Sequence, residues 1–232
     1  MSVKASDEDL AALGEYALRY VESGFTVGIG TGKAASAFIR ALGRSGLKIR
    51  AVPTSEGSAE LARQYGIELV PLKGALDIAL DGADEVDPNL DLIKGFGGAL
   101  LREKIVAAAA QYYVILVGEE KLVPRLGQRG RLPVEVLPFG VELCARRIEA
   151  LGLRAQVRLA ENGNAFRTDN GNVILDCVID EIAEPARLER ELAAIPGVLG
   201  NGLFVGTANE VLVCAPGGGV RSLKRRDARK MH

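Results

Sequence analysis

Residues 77–110, DIALDGADEVDPNLDLIKGFGGALLREKIVAAAA, restrict the fold more than any other stretch of the chain. A short apolar strand (Ile78, Ala79, Leu80) runs into a DGAD turn, Asp81-Gly82-Ala83-Asp84. A second apolar run (Leu90, Leu92, Ile93) ends at Lys94, and a turn rich in glycine (Gly95, Gly97, Gly98) opens an alanine-rich helix bearing Glu103 one turn in. Carboxylates and a lysine delivered at strand ends beside a helix start describe the crevice of an open α/β sheet. The glycines let backbone N–H groups come close to a ligand, and the helix start adds partial positive charge. That combination suits a small anionic substrate on which protons are moved.

The rest of the chain supplies the sheet. Residues 6–23 form an amphipathic helix: Ser6 as cap, Asp7, Glu8 and Asp9 in the first turn, then Leu10, Leu13, Ala17 and Val21 at helical spacing. Residues 25–29 are a strand, followed by GIGTGKA from Gly28 to Ala34 and a helix through Leu42. Strand, glycine turn and helix in that order cradle phosphate on backbone N–H groups. Neither the Walker A spacing nor the third glycine of a dinucleotide fingerprint is present. Further strands are predicted at 48–52, 68–71, 78–80 and 113–117, with Thr54 and Ser55 at a strand end, where helix capping explains them as well as a site does. Strands alternating with helices predict an α/β fold, a Rossmann-like, mostly parallel sheet.

The pattern changes near Gly130. Strand 133–137, helix 141–151, strand 154–159, turn 168–172, strand 173–179, helix 185–195 and strand 198–205 follow. This βαββαβ order predicts an inserted ferredoxin-like α+β domain over 131–205, within a site-bearing domain of 1–130 plus 206–232. Residues 210–214 return to the main sheet, and the basic tail RSLKRRDARKMH reads as a solvated, frayed end rather than a nucleic-acid arm.

Composition excludes several classes. A net charge of −1 gives no global attraction to nucleic acid or an anionic membrane, and no apolar run reaches the roughly 18 residues a span needs. The start, MSVKASDEDLAALGEY, is polar and acidic rather than a secretory leader. Cys144, Cys177 and Cys214 are odd in number and widely spaced in apolar surroundings, which predicts buried free thiols in a reducing, cytoplasmic compartment. The one histidine is His232, and no CxxC occurs, so neither a metal site nor a histidine acid or base is expected. A hard cation on DGADEVD would find carboxylate oxygens but no other support.

Asp81 and Asp84 are close enough in sequence to share a ligand and to raise one another's pKa, although aspartate also simply caps turns, as Asp87 is read to do. Lys94 is poorly explained as a surface lysine. Glu103 alone would pass for an ordinary helix glutamate. As a set, they fit proton transfer next to a carbonyl: a carboxylate base, with the developing enediolate stabilised by Lys94 and backbone N–H groups. The residues themselves lead as far as a sugar-phosphate aldose–ketose isomerase.

At these residues the sequence resembles the type A ribose-5-phosphate isomerases. The likeness rests on GIGTG, PTS, DGADEVD, KGxGGALxREKIV, PVEVxP, TDNGNxILD, and IPGV with GLF, in the family's order along nearly the whole chain. It implies cofactor-free interconversion of ribose 5-phosphate and ribulose 5-phosphate, a step of the non-oxidative pentose phosphate pathway. It implies Glu103 as the base between C1 and C2, Asp81 assisting ring opening and O1–O2 proton transfer with Asp84 beside it, and Lys94 stabilising the oxyanion. Substrate contacts would come from Thr31, Gly32, Lys33 and Ala34, from Gly82 and Ala83, from Gly95, Phe96 and Gly97, and from Lys121. Homodimers or homotetramers are implied as well. The chain departs from the pattern in three places. Lys33-Ala34 stands where the family usually has Ser-Thr, Leu10 or Ala11 where it often has lysine, and Phe96 where glycine is common; Lys33 would compensate for missing contacts, and Phe96 would crowd its loop. A sugar-phosphate sensor would need a helix-turn-helix ahead of the first strand, where only about 25 residues stand, and a coenzyme A transferase a nucleotide pocket that is not evident.

Overall fold

The computed structural model describes residues 4–225. Helix α1 (Asp7–Ala17) begins with a capping box: Asp9 N–H donates to Ser6 Oγ at 3.1 Å, and Ser6 N–H to the Asp9 carboxylate at 2.9 Å. It gives way to a 3₁₀ turn at Leu18–Tyr20. In chain order there follow β1 (Thr26–Ile29), α2 (Lys33–Arg44), β2 (Arg50–Pro53), α3 (Glu56–Gln64), β3 (Glu68–Leu69), β4 (Ile78–Asp81), β5 (Glu85–Val86), β6 (Leu92–Ile93), α4 (Leu100–Ala109) and β7 (Tyr113–Gly118). Then come β8 (Arg131–Val136), α5 (Val141–Glu149), β9 (Arg154–Val157), β10 (Val173–Val178), α6 (Pro185–Ala193), β11 (Val198–Asn201), β12 (Leu203–Phe204), β13 (Glu210–Cys214) and β14 (Val220–Lys224).

Seven strands form the main sheet in the order β14-β13-β7-β4-β1-β2-β3. All neighbours run parallel except β13 and β14. The chain winds outward from β1 through β2 to β3, then returns to place β4 on the other flank of β1. That reversal opens a crevice at the carboxyl ends of β1 and β4, where open α/β sheets bind ligands. Strands β4 and β7 are buried along their whole length, as a sheet covered on both faces requires. One apolar cluster, including Leu13, Phe38 and Leu80, lies under α1 and α2. A second, including Tyr113, Ile115, Val106 and Phe204, fills the opposite face. Each fully buried Leu, Ile or Phe contributes about 1.5–3 kcal/mol to holding this frame.

A four-stranded antiparallel sheet, β11-β8-β10-β9, with α5 and α6 carries its own apolar cluster around Val134, Ile148, Leu175 and Leu192. Its order is that of the split βαβ unit. A third, small sheet, β12-β6-β5, joins the two larger ones.

Two expectations need correction. The single strand predicted over 198–205 is two: β11 stays in the four-stranded sheet, while β12 crosses to pair with β6, Leu203 opposite Ile93. Main-chain bonds make the crossing, Gly202 N–H donating to Pro133 O at 2.8 Å and Lys94 N–H to Gly202 O at 2.9 Å. The first part of the basic tail is also ordered rather than frayed. Strand β14 covers the edge of β13, and Ser222 Oγ donates to Glu210, a buried carboxylate that also accepts from Tyr20 Oη and Tyr112 Oη, each at 2.7 Å. The buried acid needs these donors, and β14 brings one of them. Residues 226–232 of that tail lie outside the described residues. Cys144, Cys177 and Cys214 are buried and free.

Candidate active site

The ends of β1 and β4 meet at the crevice through their backbones. Gly30 N–H donates to Leu80 O at 2.9 Å, and Thr31 N–H to Asp81 Oδ1 at 3.0 Å. Glycine is required at position 30 because a Cβ there would fall 2.0 Å from Asp81 Oδ1 and 2.6 Å from Asp81 Cα. Asp81 is thereby packed down, 2% exposed, with Gly82 N–H donating to the same Oδ1 at 2.7 Å.

Lys94 ends β6 and turns inward, also 2% exposed. Its Nζ lies 3.1 Å from Asp81 Oδ2 and 3.4 Å from Glu103 Oε1, and it donates to Gly82 O. Glu103 sits in the first turn of α4, 5% exposed, and its Oε2 accepts no hydrogen bond among the described residues. One ammonium thus serves two buried carboxylates. Burial raises the pKa of Asp81, opposed by Lys94 and by the N–H groups of Thr31 and Gly82. Glu103 has no such N–H donors: burial first, then the charge of Asp81, pushes it up to about 8. Burial by itself would depress Lys94, but Asp81 and Glu103 outweigh it and hold the ammonium above its ordinary value. The result is a carboxyl that exchanges its proton near neutral pH beside a permanent cation, which is what a general base at a carbonyl's α-carbon requires.

In front of this cluster is a cavity of about 330 Å³, walled by Thr31, Gly32, Lys33 and Ala34, by Gly82, Ala83 and Asp84, by Lys94, Gly95, Gly97 and Glu103, and by Lys121. Its volume suits a small ligand. Lys33 is exposed at the rim, while burial lowers the Lys121 pKa against the opposing pull of Asp84. Three rim residues that sequence reasoning missed, Lys4, Glu120 and Arg129, also line it. Nothing in their local sequence marks them. Ala5 N–H, donating to Glu120 Oε2 at 3.3 Å, and Arg129, donating to Glu120 O, are what bring them together.

Four details differ from expectation. Asp81 is tied to Glu103 through the Lys94 ammonium they share, a link its sequence neighbourhood does not suggest. Asp84 accepts from Phe96 N–H at 2.9 Å. Asp81 does not line the cavity; it stands one layer behind the wall. Phe96 does not line it either, so it does not crowd the loop: its ring packs on the small sheet's core with the Arg131 guanidinium 4.1 Å from its centroid. Finally, the Thr31 hydroxyl is already engaged, lying 2.8 Å from Thr54 Oγ1, 2.8 Å from Ser55 Oγ and 3.1 Å from Ser58 Oγ. Ser55 also caps α3, accepting from Ser58 N–H at 3.0 Å, so capping and site reinforcement are one role. No side chain caps α2, whose first turn borders the cavity beside Gly32 and so offers its N–H groups to an anion.

Among the described residues no cluster of His, Cys, Asp and Glu is arranged to hold a metal ion, and no helix is long and apolar enough to cross a membrane.

Comparison with known proteins agrees with this fold. Residues 50–218 match the family model for ribose 5-phosphate isomerase A (phosphoriboisomerase A). Ribose-5-phosphate isomerase A of Roseiflexus sp. (strain RS-1) is 50% identical over 212 residues, covering 88% of this chain and 91% of the relative. The Gloeobacter violaceus protein of the same name is 49% identical, covering 87% and 90%. Among solved structures, a D-ribose-5-phosphate isomerase in complex with phospho-erythronic acid superposes with a TM-score of 0.90 at 38% identity, covering 94% of this chain and 99% of that one. Ribose 5-phosphate isomerase A from Methanocaldococcus jannaschii does so with 0.89 at 41% identity, covering 94% and 100%. With the model spanning most of the sequence and relatives at half identity over nearly its whole length, this chain belongs to the ribose 5-phosphate isomerase A family.

Proposed function

We propose that the chain interconverts D-ribose 5-phosphate and D-ribulose 5-phosphate, with Glu103 as the base. The observation that carries this is a carboxyl in the cavity wall whose pKa is raised to about 8, with an unspent oxygen and the Lys94 ammonium 3.4 Å away. In the ring-opened aldose, Glu103 takes the proton from C2, and the electrons move onto O1 as an enediolate. Lys94 and the N–H of Gly97 balance that charge. The O2 proton passes to O1, and Glu103 returns its proton to C1, giving the ketose. Asp84 serves ring opening and the oxygen-to-oxygen transfer from the cavity wall, and Asp81 serves from behind, through the ammonium it shares with Glu103. The phosphate sits on the α2 N-terminus and the Gly32-Lys33-Ala34 backbone, with Lys33 and Lys121 as cations. Gly82, Ala83, Gly95 and Gly97 meet the hydroxyls, while the Phe96 main chain is given to Asp84 and Arg158 and serves only by holding the loop. No metal or cofactor has a part in this scheme.

In this reading residues 131–205 form a small domain on a site-bearing domain of 1–130 and 206–232, supported by a four-stranded sheet distinct from the main one and by an apolar cluster drawn mostly from these residues, with Ile93, Val123 and Leu126 joining it from the larger domain. The setting is cytoplasmic, and the assembly a homodimer or homotetramer. Leu137, Phe139 and Leu199, exposed on adjoining segments of the small sheet, supply an apolar surface for a second copy, which sedimentation velocity tests. For the activity, the test is ribulose 5-phosphate formation by the wild type and by Glu103→Gln. Turnover should fall by several orders of magnitude while sugar-phosphate binding survives. A wild type that binds the sugar phosphate without converting it would end the proposal.

A further inference from the structure

Among the contacts of the small sheet's unit with the site, one arginine grips the main chain of the 95–98 turn. Arg158, just past β9 and with its side chain 10% exposed, donates from Nη1 to Gly95 O at 3.1 Å and to Phe96 O at 3.0 Å. Its other edge is held by Asp176 in β10, Nε donating to Oδ2 at 2.8 Å and Nη2 to Oδ1 at 2.6 Å. A two-point carboxylate grip fixes the plane of a guanidinium. The direction of Nη1 is therefore set by β10, not by the loop it serves.

Peptide planarity carries the consequence into the cavity. In a trans peptide the C=O and the following N–H point in opposite directions, and no peptide among the described residues is cis. With Gly95 O turned to Arg158, the Phe96 N–H faces the other way, where it meets Asp84 Oδ2 at 2.9 Å. With Phe96 O turned there too, the Gly97 N–H also faces away from the small sheet, at the residue that lines the cavity. Arg158 itself does not line the cavity, so it acts through the loop alone.

We propose that Arg158 is a positioning residue for the isomerisation: it holds two carbonyls so that Gly97 N–H is aimed at the developing oxyanion and Asp84 is kept in the wall, with Asp176 as its anchor. The inference rests on the isomerase reading above. An arginine that merely joined the sheets would lower stability when removed, but would not alter the relative strength with which the site holds an enediolate and a phosphate.

The test uses the full chain with Arg158→Met, Arg158→Lys and Asp176→Asn. It measures kcat and KM for ribose 5-phosphate, the melting midpoint, and the dissociation constants of phospho-erythronic acid and inorganic phosphate. The acid places a carboxylate where the enediolate oxygens develop; inorganic phosphate probes only the other end. Misaiming a donor by an ångström costs about 100-fold, so kcat should fall about that much in Arg158→Met, about tenfold in Arg158→Lys and a few-fold in Asp176→Asn, with KM little changed. Affinity for phospho-erythronic acid should fall by the same factors, and that for inorganic phosphate by less than about twofold. The proposal is overturned if folded Arg158→Met keeps kcat within about twofold, or if both ligands weaken equally. Should Arg158→Met fail to fold, the other two variants decide by the same comparison. A wild type without turnover defeats the isomerase reading instead, and the ratio of the two affinities still judges the clamp.

Discussion

Two glycine turns border the cavity, and they are held by opposite means. The turn at 30–34 is fixed from within its own sheet: Gly30 bonds to β4, and Thr31 is tied by hydroxyls to the start of α3. The turn at 95–98 has one bond of its own, Gly98 N–H donating to Gly95 O at 3.0 Å, and is otherwise fixed by another sheet, through Arg158, Arg131 and the ring of Phe166 under Gly98. The first is built from elements of its own sheet, with partners within 51 residues of Gly30; the second draws on residues 36 to 71 positions beyond Gly95, all carried by the other sheet's unit. A phosphate cradle has only to be present before the reaction. An oxyanion donor has to be aimed, and the second sheet supplies the aim.

The two turns converge on Lys94, and removing it should have the largest effect. Lys94→Met leaves two buried carboxylates without their cation, a loss of about 3–5 kcal/mol at pH 8, along with nearly all turnover. The deficit should shrink toward pH 5, where the carboxyls of the variant take up protons instead. Melting curves at the two pH values check this, and a deficit independent of pH would show that Lys94 is not balancing those charges.

Glycine replacements set the turns against each other. In Gly30→Ala the new methyl meets the Asp81 backbone as well as its carboxylate, so Asp81 and its ammonium must shift, and kcat should fall about 100-fold. In Gly98→Ala the methyl meets only the outer ring atoms of Phe166 at 2.7 Å, which can swing aside, but φ is +87°. The expected loss is about 1–2 kcal/mol of stability and about tenfold in kcat. If Gly98→Ala proves the more damaging to catalysis, the ranking of local over borrowed support is wrong.

The pH dependence probes the point both turns serve. Glu103 must be ionised to accept a proton, so kcat/KM should climb as pH rises toward about 8 and level off above it. Its pKa is raised on folding from 4.5, so the stability its protonated form provides is complete below 4.5 and lost as pH rises through about 8. Glu103→Gln should accordingly match the wild type in melting midpoint near pH 5 and exceed it by a few degrees above pH 8. A constant difference between the two proteins would place the Glu103 carboxyl in water.

The same contrast explains what the sequence makes legible. Asp84, Lys94 and Glu103 reach one cavity because a single stretch carries strand end, turn and helix start in order, and a reader can follow it without knowing the rest of the fold. The main parallel sheet is legible for a similar reason, its central strands β1, β4 and β7 being largely apolar and buried. Arg158 gives no such signal. Its anchor leaves a faint one, since Asp176 interrupts the apolar run VILDCV, but the loop it serves cannot be guessed from strand periodicity. Strand β14 hides within a basic tail because its role is to complete Glu210, and the break between β11 and β12 hides because both halves are apolar. The tie between Asp81 and Glu103 is invisible for the opposite reason: Asp84 is nearer in sequence, while packing places Lys94 between the more distant pair.

The smallest effect belongs to the first turn's rim. With Thr31 N–H given to Asp81 and its hydroxyl to Thr54, Ser55 and Ser58, what the turn offers a phosphate is the α2 N–H groups and the exposed Lys33 ammonium. An exposed charge contributes up to about 1 kcal/mol, so Lys33→Ala should raise KM for ribose 5-phosphate about two- to fivefold and leave kcat alone. Added salt should erase most of the difference, because a rim charge is screened and the helix N–H contacts are far less so. That pattern is the reverse of the one expected at the second turn, where kcat moves and KM holds. A KM unchanged in Lys33→Ala at low salt would mean that the ammonium points into solvent and the backbone alone carries the phosphate.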